Sequence, residues 1–492
     1  MLEDPAGKVA DQVSYKSEAP WPAGASGGVS IALTSPTSDN MDPASWQYST
    51  TTYGLGDKGS PGDPNGQPEP AFEVDPEVVD FQQPELGATL IFSPFDGLED
   101  RVIEKLANAK SHVRMAYFNI RLPEVKWTLE ALKQDGVDVH VILDKKTQDA
   151  EYNNMAADLE ELGIPVTLVE NTKAQYALMH HKFIVLDHTT VLTGSANLSS
   201  TALNKSDEDL LIIEDSSIAT RYLTEWDEMI VGGYAQSEPY PEGAVLKAWM
   251  GPEDDLDGKV LAMLDTAQER VLVAMFQMNQ SGLINKLIEV HEAGKTVIVV
   301  IDGVYKAEGG AEQALVDAGI PLFEVDNTLS QYAEMHSKLM IVDEKRLAMG
   351  SFNWTNLASF HNDESLIEVE DPHLAARAAG KFAELLKRYA PDEDPAALGL
   401  TTGPQSISLA VGNLTPDPGA TVLVQTLGGG PFAQPTPLDG LTITVDVEAG
   451  TRMDYRYGVQ GPGGTVWETG ATHFFTVPYA SGPFSIVDAF RF

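Results

Sequence analysis

The sequence predicts an α/β protein of two similar lobes followed by a small β-sandwich. Three observations predict this architecture. Helical and strand patterns alternate through the middle of the chain, the alternating unit occurs twice, and residues 398–492 change to short strands with Gly- and Pro-rich turns. With 492 residues, 43% of them hydrophobic, the chain can bury a sizeable core in each of two or three domains.

The first predicted lobe, residues 86–235, shows the alternation most clearly. The apolar residues of GLEDRVIEKLANAKS have helical spacing, and VRMAYFNI has the composition of a strand. EVKWTLEALKQDG then predicts a helix that ends at a glycine, and VDVHVILD predicts the next strand. Strands and helices in this order predict layered α/β structure.

The second predicted lobe, residues 236–397, repeats the first. VILD at 141–144 matches VVID at 299–302, and FSPFDGLEDRV matches WMGPEDDLDGKV, both 158 residues later. GIPV and GIPL are 156 residues apart, so the second copy is two residues shorter in between. A repeat of this length is too long for a solenoid and indicates a duplicated lobe.

The two ends of the chain differ from the lobes. Residues 1–85 are rich in Pro, Gly, Ser and Asp, so we expect an extended arm there. No apolar run reaches the roughly 20 residues of a membrane-spanning helix. The first residues lack the pattern of a signal peptide, and we expect a secreted or periplasmic monomer whose signal peptide is not part of this sequence. The sequence has no cysteine, which excludes disulfides and thiolate metal sites.

The charge balance limits the partners of the protein. The chain has 73 acidic and 32 basic residues, a formal net charge of −41. Most of this excess, net −26, lies between residues 86 and 397, so it is not confined to the ends. Such a field favours solubility and repels a polyanion, which argues against nucleic acid as the main partner.

One motif occurs at the same place in both lobes. YALMHHKFIVLD (176–187) aligns with YAEMHSKLMIVD (332–343) at an offset of 156, and Ser337 takes the place of His181. Strand alternation puts the first histidine and the lysine on one face and His181 on the other, so we assign His181 to packing. The preserved pattern is His-x-Lys-x4-Asp, and its residues are His180, Lys182, Asp187, His336, Lys338 and Asp343.

The residues that follow the motif are also preserved. TGSANLSS aligns with MGSFNWTN, and SDEDLLIIED aligns with NDESLIEVED. The first glutamate of each of the last two segments, Glu208 or Glu364, lies 28 residues after the motif histidine of its own lobe. Two matches at one fixed spacing indicate a working site in both copies. The candidate binding and orienting residues are Ser195, Asn197, Glu208, Ser351, Asn353 and Glu364.

These paired motifs resemble the two half-sites of the phospholipase D superfamily, and the resemblance covers about 300 residues. It implies two α/β lobes related by a pseudo-twofold axis, with both motifs in one cleft. It also implies metal-independent phosphodiester chemistry through a phosphohistidine, with no cofactor. The residue types suit that chemistry, because a phosphodiester is an anion that cationic side chains can hold while an imidazole attacks phosphorus.

The resemblance also implies roles for the site residues. His180 would be the nucleophile and His336 the acid and base, although the sequence by itself is symmetric on this point. Lys182 and Lys338 would hold the phosphoryl oxygens. Glu208 is expected to orient His180, and Glu364 is expected to orient His336. The motif aspartates, grouped here with the catalytic residues, are expected to tie down the motif loops by hydrogen bonds. A strand-end turn role and direct chemistry are the two alternatives, and the sequence does not separate them.

The substrate remains open between alternatives. We expect a phospholipase D that acts on phospholipid head groups, as a peripheral protein at a membrane surface, and that can transfer the lipid to an alcohol. A metal-independent nuclease is the alternative, since GSFNWT is similar to small nucleases and mitochondrial members of the superfamily. A non-catalytic binding protein is a third possibility. Asn119 and Gln277 are candidate cleft residues, with sheet-end hydrogen bonding as the other explanation.

The C-terminal segment resembles a starch-binding type of carbohydrate module. MDYRYGVQGPGGTVWETGATHFFTVP carries the resemblance, and Trp467 occupies its WE position. An exposed indole there could stack on a sugar, so a glycan contact is a further expectation. A stabilising β-sandwich without a ligand is the alternative.

Overall fold

The computed structural model describes residues 86–148, 153–303 and 311–400, together with shorter pieces elsewhere. Before residue 84 these pieces are short strands, so the predicted arm lies mostly outside the described residues. Those strands are Leu2–Glu3, Val9–Asp11, Ile31–Leu33, Trp46–Tyr48, Thr52–Tyr53, Asp57–Lys58 and Gln82–Gln83. After residue 401 the described pieces are 402, 404–411, 421–427, 432, 434–438, 442–461, 464–467, 473–478 and 484–488.

The first lobe is a mixed sheet covered by helices. Its strands are β1 (Gln82–Gln83), β2 (Ala88–Phe92), β3 (His112–Tyr117), β4 (Asp138–Asp144), β5 (Val166–Val169), β6 (Lys182–Leu186), β7 (Thr190–Gly194) and β8 (Asp209–Glu214). Its helices are α1 (Leu98–Ala107), α2 (Pro123–Gln134), α3 (Lys145–Gln148), α4 (Met155–Glu161), α5 (Ser200–Asn204) and α6 (Ser216–Val231). The sheet order is β5-β4-β3-β6-β7-β8-β2-β1, with β3, β4 and β5 parallel and the other neighbours antiparallel.

The second lobe repeats this topology. Its strands are β9 (Leu246–Gly251), β10 (Arg270–Met275), β11 (Thr296–Asp302), β12 (Leu322–Val325), β13 (Lys338–Val342), β14 (Arg346–Gly350) and β15 (Glu364–Val369). Its helices are α7 (Leu256–Leu264), α8 (Ser281–Glu292), α9 (Ala311–Asp317), α10 (Asn356–Phe360) and α11 (Pro372–Tyr389). The order β12-β11-β10-β13-β14-β15-β9 equals that of the first sheet from β5 to β2, so the duplication in sequence is a duplication in structure.

Local sequence explains why the helices form where they do. In α1 the buried residues Leu98, Val102 and Leu106 recur every four positions, which makes one apolar stripe that packs on the sheet. The two long helices α6 and α11 begin at equivalent aspartates. The Asp215 and Asp371 side chains each accept two backbone N–H groups of the first helical turn, a cap worth about 1 kcal/mol.

The two lobes share one hydrophobic core. It contains Phe183 and Tyr222 from the first lobe and Leu339 and Phe382 from the second, all of them fully buried. Burying a side chain of this size contributes roughly 1.5–3 kcal/mol. Each sheet packs its other face against its own helices in a separate core. The shared core fixes one lobe against the other and therefore fixes the site between them.

The C-terminal strands form two small sheets. They are β16 (Pro404–Val411), β17 (Thr421–Thr426), β18 (Thr436–Pro437), β19 (Thr442–Glu448), β20 (Arg452–Gly461), β21 (Gly464–Trp467), β22 (His473–Thr476) and β23 (Phe484–Asp488). One sheet has the order β19-β16-β23, and in the other β18-β17-β20-β21 is extended by β22 beside β20. Buried residues of both sheets meet in one apolar cluster, which is compatible with the predicted β-sandwich.

Candidate functional site

Each motif strand begins at its lysine. β6 starts at Lys182 and β13 at Lys338, so His180 and His336 lie two residues before a central strand. Lys182 pairs with Tyr117, the last residue of β3, which puts the histidine at the edge where the parallel strands end. In α/β sheets the carboxyl ends of parallel strands are the usual place for a ligand.

A buried aspartate fixes the residue before each histidine. Asp144, the last residue of β4, accepts a hydrogen bond from the Met179 N–H (2.9 Å), and Asp302 accepts one from the Met335 N–H (2.9 Å). Both carboxyl groups are buried. The sequence analysis used these aspartates only as markers of the repeat. An acid preserved at one place in both copies was the signal that could have identified them as positioning residues.

The lobes exchange backbone hydrogen bonds beside the histidines. The His180 N–H donates to the Asp363 carbonyl and the His336 N–H donates to the Asp207 carbonyl, each over 2.9 Å. In return the Asp363 N–H donates to the carbonyl of Leu178 (2.9 Å). Each motif histidine therefore lies against the opposite lobe.

Each histidine is held by the glutamate of the opposite lobe. His180 Nδ1 lies 2.8 and 2.9 Å from the two carboxylate oxygens of Glu364, and His336 Nδ1 lies 2.8 Å from Glu208 Oε2. The predicted pairing of Glu208 with His180 and of Glu364 with His336 is therefore wrong. The cross-lobe backbone bonds bring the start of β15 to His180 and the start of β8 to His336, so the pairs cross over.

The two predicted serines support the glutamates. Ser195 Oγ donates to Glu208 Oε2 and Ser351 Oγ donates to Glu364 Oε2, each over 2.6 Å. Both serines are fully buried. Their hydroxyls are therefore engaged with the carboxylates that orient the imidazoles.

The two predicted asparagines present unused hydrogen-bonding groups. Asn197 Oδ1 and Asn353 Oδ1 are buried and have no hydrogen-bond partner among the described residues. Both residues follow the serines in the loops that end β7 and β14. A buried amide without a partner costs free energy, and such groups concentrate at binding sites.

The motif lysines are buried and close to the histidines. Lys182 Nζ donates to the His180 carbonyl (2.8 Å), and Lys338 Nζ donates to the His336 carbonyl (2.6 Å). Burial lowers the pKa of Lys182 to about 7, and the nearby Lys338 lowers it further while Glu364 opposes the change. Burial lowers the pKa of Lys338 as well. An anionic ligand would restore both ammonium charges, so the site favours binding of an anion.

The histidine–glutamate pairs differ in their electrostatics. Burial lowers the pKa of His180 to about 4, although Glu364 opposes that shift. Burial and the two lysines lower the pKa of His336 well below its ordinary value. Burial raises the pKa of Glu208 to about 7. Burial also acts on Glu364, but His180 and Lys182 outweigh it and the pKa is lowered. These shifts favour the ionised form of Glu364 and the protonated form of Glu208.

His181 faces away from this site, as predicted. It is fully buried, its Nε2 lies 3.0 Å from Glu225 Oε1, and its ring packs edge-on against Phe183. Behind it, Glu225 lies close to Glu228 and Glu253, whose ligand atoms all lie within 4.8 Å of one another. This is the group of carboxylates among the described residues that has the spacing to hold a metal ion.

The motif aspartates lie at the other end of their strands. The Asp187 carboxylate accepts the backbone N–H groups of Lys110, Ser111 and His112, at 2.7–3.1 Å. Asp343 accepts three N–H groups, from Gln268, Glu269 and Arg270, at 2.8–2.9 Å. Both aspartates have positive φ, 50° and 52°. The structure does not bring them to the histidines, so their place in the catalytic group is wrong and their predicted role in tying down loops agrees with these contacts.

Two aromatic residues that the sequence analysis missed contact the histidines. Phe118 packs edge-on against His180 with ring centroids 5.1 Å apart, and Phe276 packs against His336 at 4.4 Å. Phe118 and Phe276 are equivalent in the duplication, at the offset of 158. This preserved aromatic, one residue before the predicted Asn119 and Gln277, was the signal that could have found them.

The two predicted cleft residues make contacts of the other expected kind. The Asn119 carbonyl accepts the Leu198 N–H (3.2 Å), and the Gln277 carbonyl accepts the Trp354 N–H (3.1 Å). Asn119 Oδ1 also accepts a hydrogen bond from Asn153 Nδ2 (3.0 Å). These contacts are the sheet-end hydrogen bonds that were the alternative explanation for both residues.

Trp467 is half-buried in the C-terminal region. The Arg456 guanidinium lies 4.3 Å from the ring centroid, and the backbone of Gly458 lies against the ring. Any side chain at Gly458 would come within 2.7 Å of the indole. The glycan contact predicted for this residue stays a prediction.

The fold and the site define a class of protein in which two duplicated α/β lobes complete each other's histidine–lysine half-site. The chain belongs to the family described as cardiolipin synthase, PLD-like domain, which matches residues 102–230 and 260–386. Members of this phospholipase D superfamily are phosphodiesterases.

Individual proteins are similar over about a third of the chain. A phospholipase D of Rickettsia typhi is 24% identical over 155 residues, which cover 31% of this chain and 74% of that protein. A mitochondrial cardiolipin hydrolase of Danio rerio is 31% identical over 143 residues, 29% of this chain and 60% of that protein. The solved structure of Nuc, a phospholipase D family member from Salmonella typhimurium, is 26% identical and covers 30% of this chain and 95% of its own, with a TM-score of 0.27.

Proposed function

We propose that the protein hydrolyses phospholipid head groups through a phosphohistidine, and that a primary alcohol can replace water in the second step. The observation that carries the proposal is the pair of crossed histidine–glutamate contacts, 2.8 Å each, beside two buried lysines. The reaction needs one imidazole with a free lone pair, one that can give a proton, and cations for the phosphoryl oxygens.

In the first step His180 Nε2 attacks phosphorus. The N–P bond forms while the bond from phosphorus to the head-group oxygen breaks, and His336 Nε2–H gives its proton to that oxygen. His180 keeps its proton on Nδ1 and donates it in a hydrogen bond to Glu364. The carboxylate stabilises the positive charge that develops on the ring. The head-group alcohol leaves, and a phosphatidyl group remains on His180.

In the second step His336 acts as the base. It takes a proton from water, the water oxygen attacks phosphorus, and the N–P bond breaks to give phosphatidate and free His180. A primary alcohol in place of water gives the transferred phospholipid by the same bond changes. Lys182 and Lys338 hold the phosphoryl oxygens through both steps, and the amides of Asn197 and Asn353 donate to them.

Two features favour a lipid substrate. The net charge of −41 repels a nucleic-acid chain more than a zwitterionic lipid surface. The similar proteins from Rickettsia typhi and Danio rerio are a phospholipase D and a cardiolipin hydrolase by name. In the described parts of the chain no helix is long and apolar enough to cross a membrane. As part of the proposed lipid chemistry, the protein would meet its substrate at the membrane surface, with the motif lysines supplying the positive charge and without a metal or cofactor.

The test is a parallel assay on lipid and DNA. Purified protein is incubated with phosphatidylcholine vesicles, with and without a primary alcohol, and with single- and double-stranded DNA at several salt concentrations. We expect choline release, transfer to the alcohol, and weak DNA cleavage at low salt, where the acidic surface is least screened. Lys182→Met serves as the matched inactive control.

Other outcomes would change the conclusion. Efficient DNA cleavage at low salt without choline release would replace the lipid substrate by nucleic acid. Absence of turnover on both substrates and on bis-p-nitrophenyl phosphate would show a binding protein instead of an enzyme. A phosphoryl adduct trapped by acid quench on His336 instead of His180 would exchange the roles of the two histidines.

A further inference from the structure

The two half-sites differ at one position beside the glutamates. In the second lobe Asn362 lies two residues before Glu364, and its Nδ2 donates to Glu364 Oε1 over 2.9 Å. The equivalent residue of the first lobe, at the offset of 156, is Ser206, before Glu208. Among the described residues Glu208 receives no matching bond from Ser206. Glu364 therefore has one buried hydrogen-bond donor more than its counterpart.

Asn362 and Ser206 make the same second contact, with the loop that precedes the motif histidine of the opposite lobe. Asn362 Oδ1 accepts the N–H of Leu178 (3.0 Å), and Ser206 Oγ accepts the N–H of Glu334 (3.1 Å). Leu178 and Glu334 are equivalent residues, each two before the motif histidine. Serine and asparagine thus make the same loop contact, and asparagine adds the amide donor to Glu364.

A second difference between the lobes also disfavours the ionised form of Glu208 relative to that of Glu364. Asp209 follows Glu208, whereas Ser365 follows Glu364. Asp209 is fully buried, and its Oδ2 lies 3.4 Å from the Lys338 N–H. A carboxyl group beside Glu208 disfavours the ionised form of that glutamate, and the missing amide donor does the same. The raised pKa of Glu208, about 7 because of burial, agrees with this direction.

We propose that Asn362 is a positioning residue that makes His180 the nucleophile and leaves His336 as the proton donor. By donating to Glu364 it keeps that carboxylate ionised, and the ionised carboxylate holds the proton of His180 on Nδ1. His180 Nε2 then carries a free lone pair, as a nucleophile requires. Glu208 lacks that donor and shares a proton with His336 Nδ1, which leaves a proton on His336 Nε2 for the leaving oxygen.

The role of Asn362 rests on the proposed function only where turnover is measured. The tautomers of the two rings can be measured without substrate by nitrogen-15 NMR of histidine-labelled full-length protein, with assignments from His180→Gln and His336→Gln. At pH 6.5 we expect His180 to be protonated on Nδ1 and His336 on Nε2. The same tautomer and the same pH response in both rings would overturn the proposal.

Asn362→Ser is the informative variant, because it copies the first lobe and keeps the contact with Leu178. We expect the His180–Glu364 pair to take up its next proton about one pH unit higher, since a hydrogen bond to a buried carboxylate shifts its pKa by about that much. With bis-p-nitrophenyl phosphate, the acidic limb of the kcat/KM profile should move up by the same amount, with KM little changed. A folded variant with an unchanged His180 titration would contradict the proposal.

Ser206→Ala is the matched control. It removes the loop contact with Glu334 but no donor to a glutamate, so it should lower stability and leave the acidic limb in place. If it moves the limb as far as Asn362→Ser does, loop position and not the amide donor is the cause. Unequal wild-type tautomers without lipid turnover would reject the proposed substrate and keep the role of Asn362.

Discussion

Replacing Asp343 by alanine should lower the free energy of unfolding and leave the catalytic turnover nearly unchanged. Asp343 is buried and accepts the backbone N–H groups of Gln268, Glu269 and Arg270 at 2.8–2.9 Å. It lies seven positions after His336 along an extended segment, which is roughly 23 Å at about 3.3 Å per residue. A charge at that distance has little effect on a reaction at the histidine, so the contribution of Asp343 is to stability.

The magnitude follows from the three bonds and the backbone. Gln268 and Glu269 are exposed, so water can replace the carboxylate at their N–H groups, whereas Arg270 is buried and would keep an unsatisfied donor at about 1–3 kcal/mol. The φ of 52° adds about 1 kcal/mol for alanine. We therefore expect Asp343→Ala to lower the free energy of unfolding by about 3 kcal/mol, and Asp343→Asn by about half as much.

Urea unfolding and kinetics on the same samples provide the test. We expect both variants to keep kcat/KM within about threefold of wild type per folded molecule, with bis-p-nitrophenyl phosphate as substrate. Asp187→Asn, at the equivalent place in the first lobe, should behave in the same way. The reasoning fails if Asp343→Asn unfolds like wild type and yet loses about a thousandfold in activity.

Three further predictions address the residues around the site. His180→Ala should abolish turnover, whereas His181→Ala should keep most of it and lower stability, and equal loss of activity in both would contradict the assignment of faces. Burial raises the pKa of Glu225 and of Glu253 to about 8, above the ordinary 4.5, so their contribution to stability is complete below pH 4.5 and is lost as the pH rises toward 8. The free energy of unfolding should fall by about 3 kcal/mol between pH 6 and 8.5 from Glu225 alone, and Glu225→Gln should flatten that slope in urea titrations; a slope equal to wild type would refute it. Turnover should be unchanged in EDTA, and recovery of lost activity by added calcium or magnesium would show a metal requirement.

The duplication made much of the fold predictable. The two copies preserve the same strand and helix patterns at a nearly fixed offset, so sheet order in one lobe implies sheet order in the other. Local spacing also separated His180 from His181, because alternate residues of a strand face opposite ways. These inferences depend on neighbours in sequence, and that is where single-sequence patterns carry information.

The crossed glutamates could not be predicted in the same way. Glu208 follows His180 by 28 residues in the same lobe, and nothing in that spacing shows that β8 begins beside the other histidine. The pairing depends on how two lobes dock through a shared core, which is a long-range property of the fold. Phe118 and Asp144 were missed for another reason, because apolar and strand-end residues in a repeat have a structural explanation that hides a role beside the site.

The crossing of the two pairs makes the lobes mutually dependent. Neither lobe contains both a motif histidine and the carboxylate that orients it, so a fragment of one lobe would carry a histidine without its orienting carboxylate even if it folded. An inactivating substitution of Glu364 can therefore be complemented only by an intact second lobe from another copy of the protein. Two copies, one defective in the first lobe and one in the second, could form one working site by exchanging lobes. For the same reason each half constrains the other, since a substitution that adds or removes a hydrogen-bond donor to one glutamate acts on the histidine of the other half.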